Sequence, residues 1–207
     1  MPSVTNSWDK FLCPETLQSN LISASLFITC FEVLKDSIID QPKNFFADNW
    51  SVDGSMESSE YRAKVLDLDP RKNPLRASLL WLKQNRVIDE ADERSFLEIK
   101  EHRNQIAHQL PQLITNADKN VELERLIEIQ RLVLKIDRWW IMNVELDTQD
   151  EIDPSTVVES EIMSGNSIFI SMVVGIATGG FSKELLEQLR ADIRSGKKPP
   201  ERESTGS

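Results

Sequence analysis

Both histidines of this 207-residue chain, His102 and His108, fall within one short run, from Lys100 to Leu110. Between them stand Arg103 and Asn104. A histidine that titrates near neutrality can take up or deliver a proton. An arginine offers a forked, permanently charged clamp for an oxyanion such as a phosphate. Asn104 is four residues before His108, which puts both on one helical face, so the amide can orient the ring or bond a ligand. The chemistry within reach is proton transfer beside a held anion. No metal is expected in it, because two histidines without a carboxylate cluster on the same face make a poor metal site. The sequence also lacks a Gly-rich phosphate loop, a Gly-x-Ser-x-Gly elbow and a Cys/His dyad pattern, so no cofactor is expected. His102 points away from His108 and is expected at the surface, or at most supporting the others.

These residues sit on a helix. Phe96, Ile99, Ile106 and Leu110 recur at helical spacing and read as a buried stripe. Arg103 occupies the slot where the next apolar residue belongs, and arginine is almost never buried without a partner. Five residues place Arg103 and His108 roughly 140° apart around the axis and ~7.5 Å apart along it. They converge poorly on one atom within a single chain. Two copies about a two-fold axis could bring each arginine near the other copy's histidine, so a shared site in a homodimer is the reading of this spacing.

The run Arg103-Asn104-Gln105-Ile106-Ala107-His108 resembles the Arg-x(4–6)-His signature of the HEPN superfamily, helical proteins many of which are metal-independent RNases. A polar residue after the arginine is typical of the active members, and Asn104 supplies it; the small Ala107 before the histidine also fits. The motif covers six residues, with looser agreement from about Asn73 to Met142. The resemblance implies an endoribonuclease with Arg103, Asn104 and His108 as its catalytic residues, RNA as its substrate and a 2′,3′-cyclic phosphate or related end as its product. It further implies a toxin or host-defence effector held in check by an antitoxin or other regulatory protein.

The bland reading is a surface histidine on a helix and an arginine in a structural ion pair. It belongs to a rival function, a non-catalytic helical interaction or nucleotide-binding module. Composition leans toward the rival. A net charge of −10 argues against general coating of nucleic acid, which needs a basic surface, so any RNA contact must be local. Forty per cent apolar and 28% charged residues are ordinary for a globular chain, and with few glycines and few alternating runs the balance favours helices. Cys13 and Cys30 make no disulfide framework, and Cys30 lies in a dense apolar run as a small core residue. Without a signal-peptide pattern or an apolar run of ~20 residues, a cytoplasmic, reduced, membrane-free setting is expected.

The fold expected is all-α, a HEPN-like bundle of five to six helices: one domain over 1–195 with an irregular insertion at about 41–73, then a disordered tail over 196–207. Residues 1–14 form a lead-in in which Trp8, Phe11 and Leu12 could dock. Pro14 opens a long helix that Pro42 ends. The 41–73 stretch carries turn residues around Phe45, Phe46 and Trp50, with a short helix near 59–68, and either caps a groove or sits on the surface. Pro74 opens the next helix, and Asp89 caps the motif helix, which stops near Pro111. A helix from Val121 to about Asp147 is expected to be buried on two sides, with Leu123, Ile127, Leu134 and Ile141 widening its stripe. Residues 168–177 read as a buried helix, and Ser182 as the cap of a last one through about Arg194.

Overall fold

The computed structural model describes residues 7–47, 50–51, 54–55, 57–116, 119, 121–122, 124–146, 157–158, 162–177, 180 and 187. The expectations for the start of the chain before Ser7, for Leu123, for the link at 147–153 and for the 196–207 tail lie outside them, as does the 182–194 helix apart from Glu187. Within the described residues the fold is all-α. The helices are α1 (Ser7–Leu12), α2 (Pro14–Phe45), α3 (Ser59–Lys64), α4 (Pro74–Gln84), α5 (Glu90–Thr115), α6 (Glu124–Trp140) and α7 (Gly165–Ala177). A two-residue antiparallel pair, Trp50–Ser51 with Gly54–Ser55, is the described extended structure.

The 32-residue α2 is the axis of the bundle. It packs against α4, α5, α6 and α7, and α6 also packs against α5 and α7. Phe27, Cys30, Leu34 and Ile38 form its buried stripe, against Leu82 of α4, Ile99 of α5 and Leu126, Ile129 and Val133 of α6. Burial pushes the Cys30 thiol up to about 11, so it is inert as a nucleophile near neutrality.

Helix starts follow the sequence closely. Pro14 occupies the first position of α2, where its missing N–H costs nothing. Asn73 caps α4 by accepting from Arg76 N at 3.0 Å. Asp89 and Asp92 close a reciprocal capping box on α5. Helix ends depart from expectation. Pro42 lies inside α2, which runs on to Phe45 because Phe45 and Phe46 then reach an aromatic cluster with Trp81, Trp139 and Trp140. Pro111 likewise lies inside α5, which kinks at Gln109 (φ −116°, ψ 20°) and continues to Thr115. A proline cannot bond the carbonyl four residues back and its ring crowds that carbonyl, so the helix bends there rather than stopping.

Other differences come from burial. The stretch at 59–68 reaches the core through Tyr61, Val65 and Leu66. Helix α6 is buried on one face only, since Ile127 is 54% exposed and Leu134 and Ile141 are half-buried; beyond Trp140 it loosens into a π-helical turn, Ile141–Glu145. Lys10 anchors α1, its buried ammonium donating to the carbonyls of Asn116, 2.8 Å away, and Lys119, whereas Leu12 is exposed and the side chain of Trp8 lies outside the described residues. A cation there suits the negative end of α5.

Candidate functional site

The helix that carries the motif is aimed by its entry. α4 closes in a Schellman turn: Arg86 adopts the left-handed conformation (φ 58°), Val87 N bonds Leu82 O at 2.9 Å and Arg86 N bonds Lys83 O at 3.0 Å. Val87 and Ile88 are buried, which pins the corner before Asp89. The first turn of α5 is then tied to α6, because buried Asp92 accepts from Arg131 at 2.7 Å and from Lys135. Phe96, Ile99 and Ile106 are buried as the stripe requires.

Arg103 finds its partner on α2. Its Nη2 donates to Glu32 Oε1 at 2.9 Å, and the guanidinium lies over the Phe31 ring, 5.6 Å from the centroid. Both side chains stay about a third exposed (31% and 34%). Lys35, four residues before Ile39 on the same helix, also bonds Glu32. That contact, and secondarily Arg103, hold the Glu32 carboxyl below its usual range against a smaller cost of burial. The Nε of Arg103 is buried and has no hydrogen-bond partner among the described residues. One of the fork's donors is thus committed, and the pair fills the gap in the apolar stripe without burying a lone charge.

Asn104 is half-buried and His108 exposed; neither has a hydrogen-bond partner among the described residues. Together with exposed Leu97 and Glu101 they fall at positions i, i+4, i+7 and i+11, a straight line along α5 at the spacing of a coiled-coil seam. The kink at Gln109 follows at once, so His108 stands on the last regular turn before the bend. Within one chain Asn104 and His108 come together, while Arg103 leans away toward Glu32. An open hollow between α2 and the end of α7 and another beside α3 are both lined by residues other than these three.

His102 corrects the expectation of a surface position. It is 8% exposed, its ring meets Phe27 edge-on at 4.9 Å, and its Nε2 accepts from Glu122 N at 3.2 Å. Burial first, and the charge of Arg125 in addition, hold the imidazole below its ordinary value, with Glu122 opposing. It is a core histidine. Sequence reasoning also missed Glu32, whose only signal was an acid at the edge of the α2 stripe beside Phe31. Among the described residues no group of His, Cys, Asp or Glu is arranged to hold a metal ion, and no helix is long and apolar enough to cross a membrane.

The class these observations define is an all-α bundle with a half-buried asparagine and an exposed histidine beside a paired arginine. Comparison with protein-family models, with curated proteins and with solved structures finds no match to the chain in any of the three.

Proposed function

We propose that this chain is a metal-independent endoribonuclease of the HEPN type, acting as a homodimer in which the Leu97–His108 line of α5 faces its copy. The observation that carries this reading is the line itself. Asn104 and His108 stand without partners on a seam that includes a 52% exposed Leu97, with Arg103 held at its edge by Glu32. In the reaction, His108 assists removal of the 2′-hydroxyl proton or protonates the leaving 5′-oxygen. Arg103 presents its remaining donors to the crowded phosphate, and Glu32 keeps the fork from swinging away. Asn104 bonds the ribose or steadies His108. Such an enzyme would be a toxin or host-defence effector under the control of an antitoxin or other regulatory protein.

A second reading is favoured by one observation. The Arg103–Glu32 pair is complete within the chain, as a structural ion pair would be, and a non-catalytic helical interaction module needs no more than that. Cleavage of RNA by the purified protein in EDTA separates the two. As an enzyme, the protein cleaves, and Arg103→Ala and His108→Ala each lose about 100-fold or more. The double variant is then scarcely worse than either single one, because residues acting as a unit are not additive. Cleavage undiminished in both single variants, or absent from the wild type, supports the interaction module.

A further inference from the structure

Just past the motif helix stands a cation that the proposed reaction has not used. Lys119, in the turn after α5, donates from its ammonium to Gln109 Oε1 at 2.7 Å and to Gln112 Oε1 at 2.9 Å. Both acceptors are neutral amides. Arg103, Lys83 and Lys135 are instead held by carboxylates. Among the described residues Lys119 makes no ion pair; Asp118, its neighbour in sequence, lies outside them. Glu122, the next acid along the described chain, is committed to Arg125 at 3.2 Å. The Lys119 charge is thus fixed in place by groups that do not cancel it.

Its position follows from how the chain is pinned. Lys119 N bonds Asn116 O at 3.2 Å, which closes a tight turn. The buried ammonium of Lys10 holds that turn by both ends, through the carbonyls of Asn116 and Lys119, and answers the negative end of α5. The apolar stripe passes through the kink at Gln109 without losing register: Ile106, Leu110 and Leu113 follow one another at i, i+4 and i+7. His108 and Gln112, each two residues after a member of that stripe, therefore share one exposed face. Lys119 sits on Gln112, one turn or ~5.4 Å along the axis from the imidazole's position.

We propose that Lys119 binds a backbone phosphate of a single-stranded RNA beside His108. The inference rests on the nuclease reading above and adds to it a contact made within the same chain as the histidine. An ammonium carries three donors; two go to Gln109 and Gln112, and the third is left for a phosphate oxygen. The side chain is half-buried, so that donor is within reach of solvent. Arg103 leans toward Glu32 in its own chain, whereas Lys119 stays one turn from His108. A chain of net charge −10 needs such a local cation to hold RNA at all. No proton or bond changes hands at Lys119: it holds the strand, and His108 moves the proton.

The salt dependence of binding tests this in the full chain. The probe is a short single-stranded RNA of randomised sequence, fully 2′-O-methylated so that it cannot be cleaved, followed by fluorescence anisotropy from roughly 50 to 200 mM salt. One phosphate contact to a single strand contributes about 0.7 to the slope of log affinity against log salt. Lys119→Gln should lower the slope by that amount and weaken binding about threefold or more at the lower salt. Lys119→Arg should restore both, and Lys64→Gln, which removes the same charge from the exposed side of α3, should change neither. Equal slopes for the wild type and Lys119→Gln would overturn the proposal, as would a wild type that does not bind the strand. So would a loss that Lys119→Arg fails to restore, which a purely structural tie to Gln109 and Gln112 would give. Cleavage of ordinary RNA is scored apart. These slopes without cleavage reject the nuclease and keep the phosphate site; cleavage with an unchanged Lys119→Gln slope keeps the nuclease and removes the site.

Discussion

Water still reaches both partners of the Arg103–Glu32 pair, and this sets how much the pair can stabilise the fold. Partly exposed ion pairs contribute ~0–1 kcal/mol, and a guanidinium over a phenyl ring adds ~0.5–1 kcal/mol. Arg103→Ala should therefore cost about 1–2 kcal/mol, lowering the thermal midpoint by a few degrees. A loss above ~3 kcal/mol, the range for breaking a buried pair, would instead make Arg103 a pillar of the core. His102 makes the opposite kind of prediction, one of pH. Its folded-state value lies below the unfolded one, so the unfolded chain binds the extra proton first as pH falls. The neutral ring's contribution is fully present above ~6.5 and is lost as pH drops through that value toward the lower folded one. Protonation also takes away the lone pair that accepts from Glu122 N. Against a His102→Phe variant, the wild type should lose stability progressively from pH 6.5 to 5, measured by denaturant unfolding; a constant difference over that range would contradict the assignment.

Helices in this chain are held at their ends by devices of unequal visibility. Asp137 is 2% exposed, with no cation paired to it among the described residues. It accepts from Gln41 at 2.8 Å, from Ser164 and from Ser167 at 3.3 Å, at the start of α7, where Ser164 itself accepts from Ser167 N. The positive end of α7 and three donors thus stabilise a carboxylate that would otherwise be costly to bury. Removing it strands those donors, so Asp137→Ala should cost ~2–4 kcal/mol and speed hydrogen exchange in α7 more than in α5. If α7 exchange is unchanged, the cap is not what docks it. At the other corner, Arg86 carries a left-handed conformation in which a glycine is unstrained, and Arg86→Gly should raise the thermal midpoint by about 2 °C. An unchanged or lower midpoint would show that no strain is stored there. Starts such as Pro14, Pro74 and Asp89 were legible in the sequence because a proline in the first turn, or a cap and its target within three residues, is a local signal. The positions of Pro42 and Pro111 were not, since tolerance of a proline depends on what the next turn packs against. Buried Lys10, His102 and Asp137 were equally illegible, because their partners lie 20 to 109 residues away. For the candidate site, the apolar stripe around Arg103 followed from periodicity, whereas Glu32, 71 residues distant, did not.

At the scale of the molecule, the candidate residues make a site only if two chains meet. One chain sets Asn104 and His108 together along α5 and turns Arg103 toward Glu32 of α2. In light scattering at micromolar concentration the protein should have twice the 23.7 kDa chain mass. Lengthening the bare seam's conflict with an added charge, as in Leu97→Asp, should shift the protein to monomer while leaving its helical content unchanged; a monomer in the wild type would remove the shared site. The most direct test mixes two inactive proteins. If each site takes Arg103 from one chain and His108 from the other, a dimer of an Arg103→Ala chain with a His108→Ala chain has one wholly altered site and one intact site. Random exchange should then restore about a quarter of the wild-type RNA cleavage, since half the dimers are mixed and each carries one of two sites. Recovery to that level after co-refolding is the result predicted here. No recovery, with mixed dimers demonstrably formed, would contradict a site shared across the interface.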